Sequence, residues 1–435
     1  MMKRVAPWLG CLVVAILAAR FLLFVAANAT RPSDGFVAYY TAARLLREGQ
    51  PVSRFYDNAW FRAQVARFEP GASDIFNVNP PTTALLLLPL AGLAYDPARA
   101  ILQIFNVLVL AASLGLLFWQ LELRGLAGLA MLGLVFVYQP LFANFQHAQA
   151  YVLLFGLLVL AWYGYRRERP VLFGVALGFM LILKTAAALL WLLPLVQRKW
   201  RVLAVGIGVA LAVALASLPW IGLDAWRTYL PLMTALPSHP ETAVTAYQTL
   251  PSFFRHLFIY DPQWNPAPLW SVPGLGQVLP WFGLLAMLAA SVYAAIRGGE
   301  PDLAFVLFVI ASVVLSPVSI DYHYTLLLLP IAILVAWARR QASAWPWIPL
   351  GAGALMIATN LPYLSPRVSA GAMALLAYPK LYGACLMWGL ACWALAGLRG
   401  GSPAPARPRA AARAGASTAG GPTTMTAACR PSIQP

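Results

Sequence analysis

The sequence has few charged residues. Asp, Glu, Lys and Arg together make up 10% of its 435 residues, whereas a soluble domain carries about 25%. Hydrophobic residues make up 61%, and the mean hydropathy is +0.72. The shortage of charge excludes a conventional water-soluble enzyme, and the apolar content excludes a disordered chain. We therefore expect an all-α protein that crosses a membrane many times, at about 20 apolar residues per crossing.

Cysteine is also scarce, and the sequence has no recognisable metal-binding pattern. The four cysteines fit neither a zinc site nor a disulfide framework: Cys11, Cys385, Cys392 and Cys429. Asp-x-Asp and His-x-x-x-His spacings are absent as well. We therefore expect neither a metal nor a cofactor.

Acidic residues are outnumbered, with 14 Asp and Glu against 30 Lys and Arg and a net charge of +16. In a soluble protein this excess would indicate nucleic acid as a partner. Here no zinc-finger, P-loop or RNP-type pattern accompanies it. Arginines in short cytoplasmic loops beside anionic lipid explain the charge better. The expected partner is the lipid bilayer, and no nucleic acid is expected.

The apolar runs predict about twelve transmembrane helices in one membrane domain, residues 1–398. They lie near residues 5–27, 82–94, 98–120, 125–141, 144–165, 170–196, 202–223, 272–296, 301–318, 321–339, 344–364 and 370–398. Two connecting segments are long, 28–81 and 224–271. Residues 399–435 consist of Ala, Pro, Gly, Ser, Thr and Arg with no acid, a composition typical of a disordered tail.

The basic residues between these runs predict the orientation. Arg198-Lys199-Trp200-Arg201, Arg297 and Arg339-Arg340 are expected in the cytoplasm together with both termini and the tail. Segments 28–81 and 224–271 and the turn 316–324 then lie outside. The cluster Arg166–Arg169 disagrees, because simple counting places it outside. A re-entrant segment at 82–94 together with a hairpin broken at 170–196 would remove the disagreement without changing the remaining topology.

The first outside segment holds four acids: Asp34, Asp57, Glu69 and Asp74. Asp34 follows the first span almost at once. The apolar spacing over residues 36–46 predicts an amphipathic helix lying in the interface, and residues 61–68 predict a second surface helix. At that height Asp34 could act as a general base on a hydroxyl. Alternatively, it is a solvated carboxylate at a helix N-terminus.

Residues at four further places in the chain could bind substrate or take part in catalysis. Lys184 interrupts an apolar run, where it either binds an anionic phosphate or snorkels towards water. Asp321 and His323 lie in an outside turn, where a His can bind phosphate or belong to an interfacial aromatic belt. The polar group that includes Gln149 indicates a water-lined cavity or hydrogen bonding between helices.

The last of these places is the second outside segment. Gln248, Arg255 and His256 lie there among several aromatic residues. Such a surface could contact a sugar and its phosphate. It could equally be a packed cap over the helices.

Several short motifs, taken in order, resemble glycosyltransferase family 87. Asp34 followed by Tyr39-Tyr40-x-Ala-Ala-x-Leu-Leu-x-x-Gly is similar to that family's first outside loop, as are Phe55-Tyr56-Asp57 and Asn79-Pro80-Pro81. His147-x-Gln149, the Gly-rich run ending at Lys184 and the segment Gln248–Ser252 also resemble family segments. Ser316-Pro317-Val318-Ser319-Ile320-Asp321-Tyr322-His323 looks like the family's paired-His turn, with only the second His kept.

The resemblance implies a GT-C fold and a membrane hexosyltransferase. It implies a polyprenyl-monophosphate sugar as donor, with mannose as the sugar and inversion at its anomeric carbon. A glycolipid or glycan of the cell envelope would be the acceptor, on the periplasmic face of a bacterial inner membrane. Asp34 would be the general base. The substrate-binding residues would be Tyr39, Asp57, Gln149, Lys184, Gln248, Arg255, His256, Asp321 and His323.

Two other functions stay open from the sequence. A transporter or flippase of lipid-linked sugars would use the same interfacial residues, although it would be expected to show internal repeats or intramembrane acids. A non-catalytic protein of envelope assembly is the other.

Overall fold

The computed structural model describes residues 2–76, 78–185, 187–297 and 299–397, and within these ranges the protein is built from helices without a β-strand. The predicted all-α architecture is confirmed. Cys429 and the predicted disordered tail 399–435 lie outside the described residues.

The α-helices are α1 (Met2–Ala27), α2 (Phe36–Arg47), α3 (Asn58–Phe68), α4 (Tyr95–Leu121), α5 (Gly125–Val135), α6 (Gln139–His147), α7 (Tyr151–Arg166), α8 (Pro170–Leu183), α9 (Leu192–Val196), α10 (Trp200–Ile221), α11 (Leu223–Ala235), α12 (Leu250–Phe258), α13 (Pro273–Arg297), α14 (Pro301–Val314), α15 (Leu328–Ala338), α16 (Trp347–Ala358) and α17 (Pro379–Gly397). The 3-10 helices are Val52–Tyr56, Pro81–Leu85, Leu88–Leu90, Ala188–Trp191, Leu236–Ser238, Pro240–Thr242, Asp321–Leu327 and Gly371–Leu376.

Five stretches of the described residues are long and apolar enough to cross a membrane: Trp8–Ala27, Tyr95–Leu121, Trp200–Ile221, Pro273–Arg297 and Asp321–Ala338. Helices α5 and α6 form a sixth, bent by 43° between Val135 and Gln139. Shorter apolar helices such as α7, α8, α14 and α16 pack among them. The protein is therefore a multi-pass membrane protein, and the count of about twelve spans stays a prediction.

Two predicted spans are not continuous helices. Residues 82–94 form two 3-10 helices instead of one span, because Pro81 and Pro89 supply no backbone N–H. The run 170–196 breaks at Lys184, whose backbone is extended, and resumes as a 3-10 turn and the short α9. The segment after the break leads the chain back to the end at which α8 began.

Small residues show this return directly, because α8 and α10 lie side by side and run parallel. A Cβ added at Gly174 would lie 2.6 Å from the carbonyl oxygen of Val202, and one added at Gly178 would lie 2.7 Å from that of Gly206. The backbones are thus in close contact over two turns. Because α8 and α10 are parallel neighbours in the bundle, the segment that connects them has to run back to the end at which α8 began.

The cluster Arg166–Arg169 lies at the same end of the bundle as Arg339 and Arg340. Arg339 donates to the Glu122 carbonyl oxygen at 3.2 Å, and Arg340 pairs with Glu300 at 3.0 Å. Arg166 pairs with Asp302 at 2.5 Å, two residues beyond Glu300. These contacts join the loops at one end of the bundle, which we call the basic end. The cluster therefore lies at the same end of the bundle as Arg339 and Arg340, in agreement with a hairpin broken at 170–196.

The first outside segment folds into a core of its own at the opposite end. Helix α2 forms where the spacing predicts it, but ten of its twelve residues are buried, so it does not lie in the interface. It packs on the 3-10 helices of residues 81–90 and on α3. Helix α3 is amphipathic as predicted, with Phe61 and Val65 buried. The burial of α2 makes its side chains available to an interior site.

Candidate active site

Asp34 lies in a tight turn between α1 and α2, and its side chain is exposed. The residues on either side of it are fixed by hydrogen bonds. The Ser33 N–H donates to Tyr95 Oη at 3.2 Å, and the Gly35 N–H donates to Asp74 Oδ2 at 2.5 Å. Both partners come from other elements of the chain, so the turn holds the Asp34 carboxylate in one place at the surface of the site.

Gly35 is required at this turn. Its φ is +90°, in the region that favours glycine. A Cβ there would lie 2.4 Å from Gln149 Nε2 and 2.7 Å from the His147 carbonyl oxygen. The Asp34 turn therefore rests directly on the loop between α6 and α7. Gln149 is fixed in turn, because Tyr39 Oη donates to its Oε1 at 2.5 Å.

Asp74 is a second carboxyl group beside Asp34. It is half-buried and also accepts the N–H of Ile75 at 2.8 Å. Burial raises the pKa of Asp74 above its usual value of 3.8. The Gly35 and Ile75 N–H groups lower that pKa, the Asp34 charge raises it, and the Lys184 ammonium lowers it. Asp34, Asp74 and Lys184 are therefore near enough to interact electrostatically.

Lys184 is buried behind the Asp34 turn. Its Nζ lies 5.3 Å from the ring centroid of Tyr39 and 5.4 Å from that of Tyr151, distances typical of cation–π contacts. Thr82 and Thr83 donate to the last two carbonyls of α8, which fixes the chain just before the lysine. In the described ranges Lys184 has no ion-pair partner within 4 Å. A buried ammonium without a carboxylate partner can bind an anion.

His323 also contacts Tyr151. The two ring centroids are 4.2 Å apart, and the imidazole also stacks on Tyr322 at 4.9 Å. His323 Nδ1 accepts the Ile320 N–H at 3.1 Å, so a neutral ring carries its proton on Nε2. His323 can therefore donate a hydrogen bond from Nε2. The structure thus brings Lys184 and His323 to the ring of Tyr151. Tyr39 and Gln149 connect this group to the Asp34 turn.

Asp57 and Gln248, both predicted to bind substrate, make hydrogen bonds that stabilise the fold. Asp57 caps α3 by accepting the N–H groups of Ala59 and Trp60 at 3.0 and 3.1 Å. Gln248 Nε2 donates to two carbonyl oxygens, and its Oε1 accepts the Lys380 N–H at 3.2 Å. The Gln248 amide is buried and hydrogen-bonded at both ends, so contact with a substrate stays a prediction.

Arg255 and His256 also belong to the packing of the second outside segment. The ring nitrogens of His256 lie 2.8 Å and 2.9 Å from the carbonyl oxygens of Ala243 and Ser369. Arg255 Nη2 donates to the carbonyl oxygens of Ser238 and His239. Neither side chain contacts the residues around Tyr151. The alternative of a packed cap therefore describes this segment better than a phosphate-binding surface does.

Asp321 is neutralised by a lysine that the sequence analysis did not consider. Lys380 Nζ lies 3.1 Å from Asp321 Oδ1, and Tyr363 Oη donates to the same oxygen at 2.5 Å. Lys380 is fully buried and also donates to the Ile357 carbonyl oxygen. Asp321 therefore anchors α17 to the 3-10 helix that carries His323. The signal for Lys380 was present, because it is a lone charge in an apolar run, as Lys184 is.

Tyr151, in contrast, could not be identified from the sequence. It is one of 17 tyrosines, and nothing in the sequence around it identifies it as the centre of the site. Among the described residues, no three His, Cys, Asp or Glu side chains are grouped so that they could hold a metal. The expectation that no metal or cofactor is needed stays a prediction.

Known proteins that resemble this chain are glycosyltransferases. It is 25% identical over 325 residues to the polyprenol-phosphate-mannose-dependent alpha-(1-2)-phosphatidylinositol mannoside mannosyltransferase of Mycobacterium tuberculosis, covering 70% of this chain and 71% of that protein. It is 27% identical over 240 residues to an alpha-(1->3)-arabinofuranosyltransferase of the same species, covering 49% of this chain and 55% of the other.

Among solved structures, ArnT from Cupriavidus metallidurans in the apo state aligns with 88% of this chain and 76% of its own, at 17% identity and a TM-score of 0.41. The family model of glycosyltransferase family 87 matches residues 77–317, which is more than half of the chain. The chain is thus an enzyme, and it belongs to glycosyltransferase family 87.

Proposed function

We propose that this enzyme transfers mannose from a polyprenyl-monophosphate donor to a glycolipid or glycan acceptor of the cell envelope, with a GT-C fold. The observation that carries the proposal is the arrangement around Tyr151. A fixed turn presents the Asp34 carboxylate, and a buried Lys184 and a hydrogen-bond donor at His323 lie behind it. A group that accepts a proton and groups that bind a phosphate are the two things the reaction needs.

In the proposed step, Asp34 removes the proton from an acceptor hydroxyl. The acceptor oxygen forms a bond to the anomeric carbon as the bond from that carbon to the phosphate oxygen breaks. The electron pair of the broken bond leaves with the polyprenyl phosphate. Lys184 supplies a positive charge and His323 Nε2 a hydrogen bond to the phosphate as its charge develops. Attack opposite the leaving group inverts the anomeric carbon.

The remaining residues of the site hold these groups in place. Tyr39 and Gln149 join α2 to the loop between α6 and α7, and Tyr151 contacts both Lys184 and His323. Because the phosphate would meet side-chain cations directly, the proposed reaction uses no metal. The site is at the end of the bundle opposite the basic end, so by the positive-inside rule it faces the periplasm from the bacterial inner membrane.

Family membership also decides between the functions that the sequence left open. Because the chain belongs to a glycosyltransferase family, it is an enzyme and not a transporter or a non-catalytic assembly protein. The identity of the sugar is less constrained, because one relative is named for mannose and another for arabinofuranose. Supplying the purified enzyme with polyprenyl-phosphate mannose and, separately, polyprenyl-phosphate arabinofuranose tests this. Transfer from the arabinofuranose donor alone would contradict mannose.

The base is tested with Asp34→Asn in the purified full-length protein. An amide cannot accept the proton, so we expect transfer to fall about 10²–10⁴-fold, the usual contribution of a general base. Donor binding should remain, because the side chain keeps its shape at an exposed position. Asp57→Asn is the matched control and should transfer at nearly the wild-type rate, since asparagine also caps helices. Transfer by Asp34→Asn at the wild-type rate would show that Asp34 is not the base.

A further inference from the structure

The basic end of the bundle contains a cavity of about 460 Å³. It is separate from the proposed transfer site, by which we mean Asp34, Lys184 and His323. It lies between the loop that precedes α8 and the loop that precedes α10. Its lining includes four cationic side chains and one acidic one: Arg169, Arg198, Lys199, Arg201 and Glu168. Tyr165, Phe173 and Trp200 form its aromatic walls. An excess of positive charge in a concave site favours an anionic ligand.

The backbone adds to this charge. Helices α8 and α10 run parallel, and both begin at the cavity, at Pro170 and Trp200. The N-terminus of an α-helix carries a partial positive charge and N–H groups without partners in the helix. Two parallel helices of 14 and 22 residues therefore direct their positive ends into one cavity.

Lys199 lines the cavity without a close carboxylate partner among the described residues. It is half-buried, with its Nζ 4.3 Å from the ring centroid of Tyr165, and it has no ion pair within 4 Å. Burial lowers the pKa of Lys199, and only the nearby Glu168 raises it. The ring of Tyr165 is itself fixed by Gln197, which donates to its hydroxyl at 3.0 Å. The lysine is thus held at a place where a bound anion would stabilise its charge.

The surface next to the cavity indicates where such an anion comes from. Trp200 is 61% exposed at the start of α10, a position typical of tryptophan at the height of lipid headgroups. Beyond it, the outward face of α10 exposes Ile207, Leu211 and Leu215. A headgroup in the cavity would place its acyl chains along this apolar face. A free phosphate would use the cavity but not the face.

We propose that this cavity binds the phosphate headgroup of an anionic phospholipid, in the leaflet opposite the transfer site. The lipid occupies a place between α8 and α10, where it bridges Arg169 to the return segment that ends at Arg198. Because Lys184 lies in the break at the start of that segment, the bound lipid stabilises the hairpin that carries the phosphate-binding lysine of the site.

Thermal unfolding of the purified full-length enzyme in neutral detergent micelles tests the proposal. Micelles are doped with phosphatidylglycerol, with the same fraction of phosphatidylcholine, or with an equal concentration of sodium phosphate. Ligands that bind the folded state raise the unfolding temperature, so we expect the largest rise with phosphatidylglycerol. An equal rise with phosphatidylcholine would overturn the proposal. An equal rise with sodium phosphate would overturn the lipid as ligand.

The site is tested with the triple variant Arg198→Gln, Lys199→Gln and Arg201→Gln. Each basic residue near a membrane surface is worth about fivefold in affinity, so three should lower phosphatidylglycerol affinity about 100-fold. Arg124→Gln is the matched control, because it removes an exposed arginine from the same end but outside the cavity. Equal loss in both would overturn the site.

Should the triple variant not fold, the single variant Arg198→Gln replaces it, since that side chain is exposed. Native mass spectrometry of wild-type and Arg198→Gln protein then counts bound phosphatidylglycerol directly. We expect one lipid that survives mild activation in the wild type and is lost several-fold more readily in the variant. Identical retention in both proteins would overturn the assignment.

Discussion

The two carboxyl groups at the first turn have different tasks because their surroundings differ. Asp34 is exposed and accepts no hydrogen bond within the described residues, so a substrate can reach its carboxylate. Both oxygens of Asp74 accept backbone N–H groups, from Gly35 and Ile75. Asp74 therefore positions the turn, and Asp34 is the group that can meet a substrate.

The raised pKa of Asp74 predicts how stability depends on pH. The folded protein binds the Asp74 proton more tightly than the unfolded chain, whose value is 3.8. As pH rises above that value, ionisation of Asp74 costs the folded state stability until pH exceeds the raised pKa. Asp74→Asn removes this cost and keeps an oxygen for the Gly35 N–H. We expect the variant to gain unfolding temperature relative to wild type as pH rises above 3.8.

The comparison is made by thermal unfolding in detergent across that pH range. Asp74→Ala is the control, because it removes both the charge and the acceptor of the Gly35 N–H. It should be less stable than Asp74→Asn at every pH, by about 1–3 kcal/mol for an unsatisfied buried donor. Curves for wild type and Asp74→Asn that stay parallel would show that Asp74 does not titrate as its surroundings imply.

For single residues, the sequence identifies the unusual ones but does not show which residues they contact in the fold. Lys184 and Lys380 give the same signal, a lone cation in an apolar run. The fold gives Lys380 a carboxylate partner at Asp321 and gives Lys184 only the rings of Tyr39 and Tyr151. Which lysine is left without a carboxylate partner depends on packing between segments far apart in the chain, and no local pattern records that packing.

Among the elements, the segment after Asn79 connects the first outside loop to Lys184. The α8 helix ends at Leu183, so its last carbonyls have no partner within the helix. Thr82 and Thr83 supply the missing donors from about 100 residues earlier in the chain, and Thr83 Oγ1 lies 2.8 Å from the Leu183 oxygen. These two hydrogen bonds set the direction in which the chain leaves α8.

Thr83→Val should therefore loosen Lys184 without removing any group that touches substrate. Valine has the same shape but cannot donate, and the loss of one such bond costs about 1 kcal/mol. We expect the KM for the lipid-linked donor to rise several-fold, measured with the purified enzyme. Thr359→Val is the matched control, because Thr359 makes the same kind of bond, to Leu355, at an exposed helix end. Equal effects of the two variants on KM would contradict a role in positioning Lys184.

The sequence predicts the helices well where the apolar pattern is unbroken and poorly where proline or a charge interrupts it. Helix α4 and the predicted run 98–120 agree closely. Helix α2 was expected in the interface because its spacing is amphipathic, yet it is buried, because residues 81–90 fold over its other side. Whether a polar face meets water or another segment is decided by long-range contacts, which periodicity does not report.

For the whole molecule, the arginine-rich loops and the transfer site lie at opposite ends. Arg166–Arg169 and Arg339–Arg340 share the basic end through their contacts with Asp302 and Glu300. The Asp34 turn lies beyond the other end of the spans, next to the return segment at Lys184. This separation is what the positive-inside rule requires of an enzyme whose site faces away from the cytoplasm.

Cysteine labelling in cells tests that orientation. In a background with the four native cysteines replaced by alanine, Arg62→Cys and Arg169→Cys each introduce one thiol at an exposed arginine. Arg62 lies on α3 in the first outside segment, and Arg169 lies at the basic end. A membrane-impermeant maleimide should label Arg62→Cys in intact cells, but should label Arg169→Cys only after the inner membrane is permeabilised. The second result is the sharper one, because a single crossing at 170–196 would put Arg169 outside. Labelling of Arg169→Cys in intact cells would therefore contradict both the broken hairpin and a transfer site that faces the periplasm.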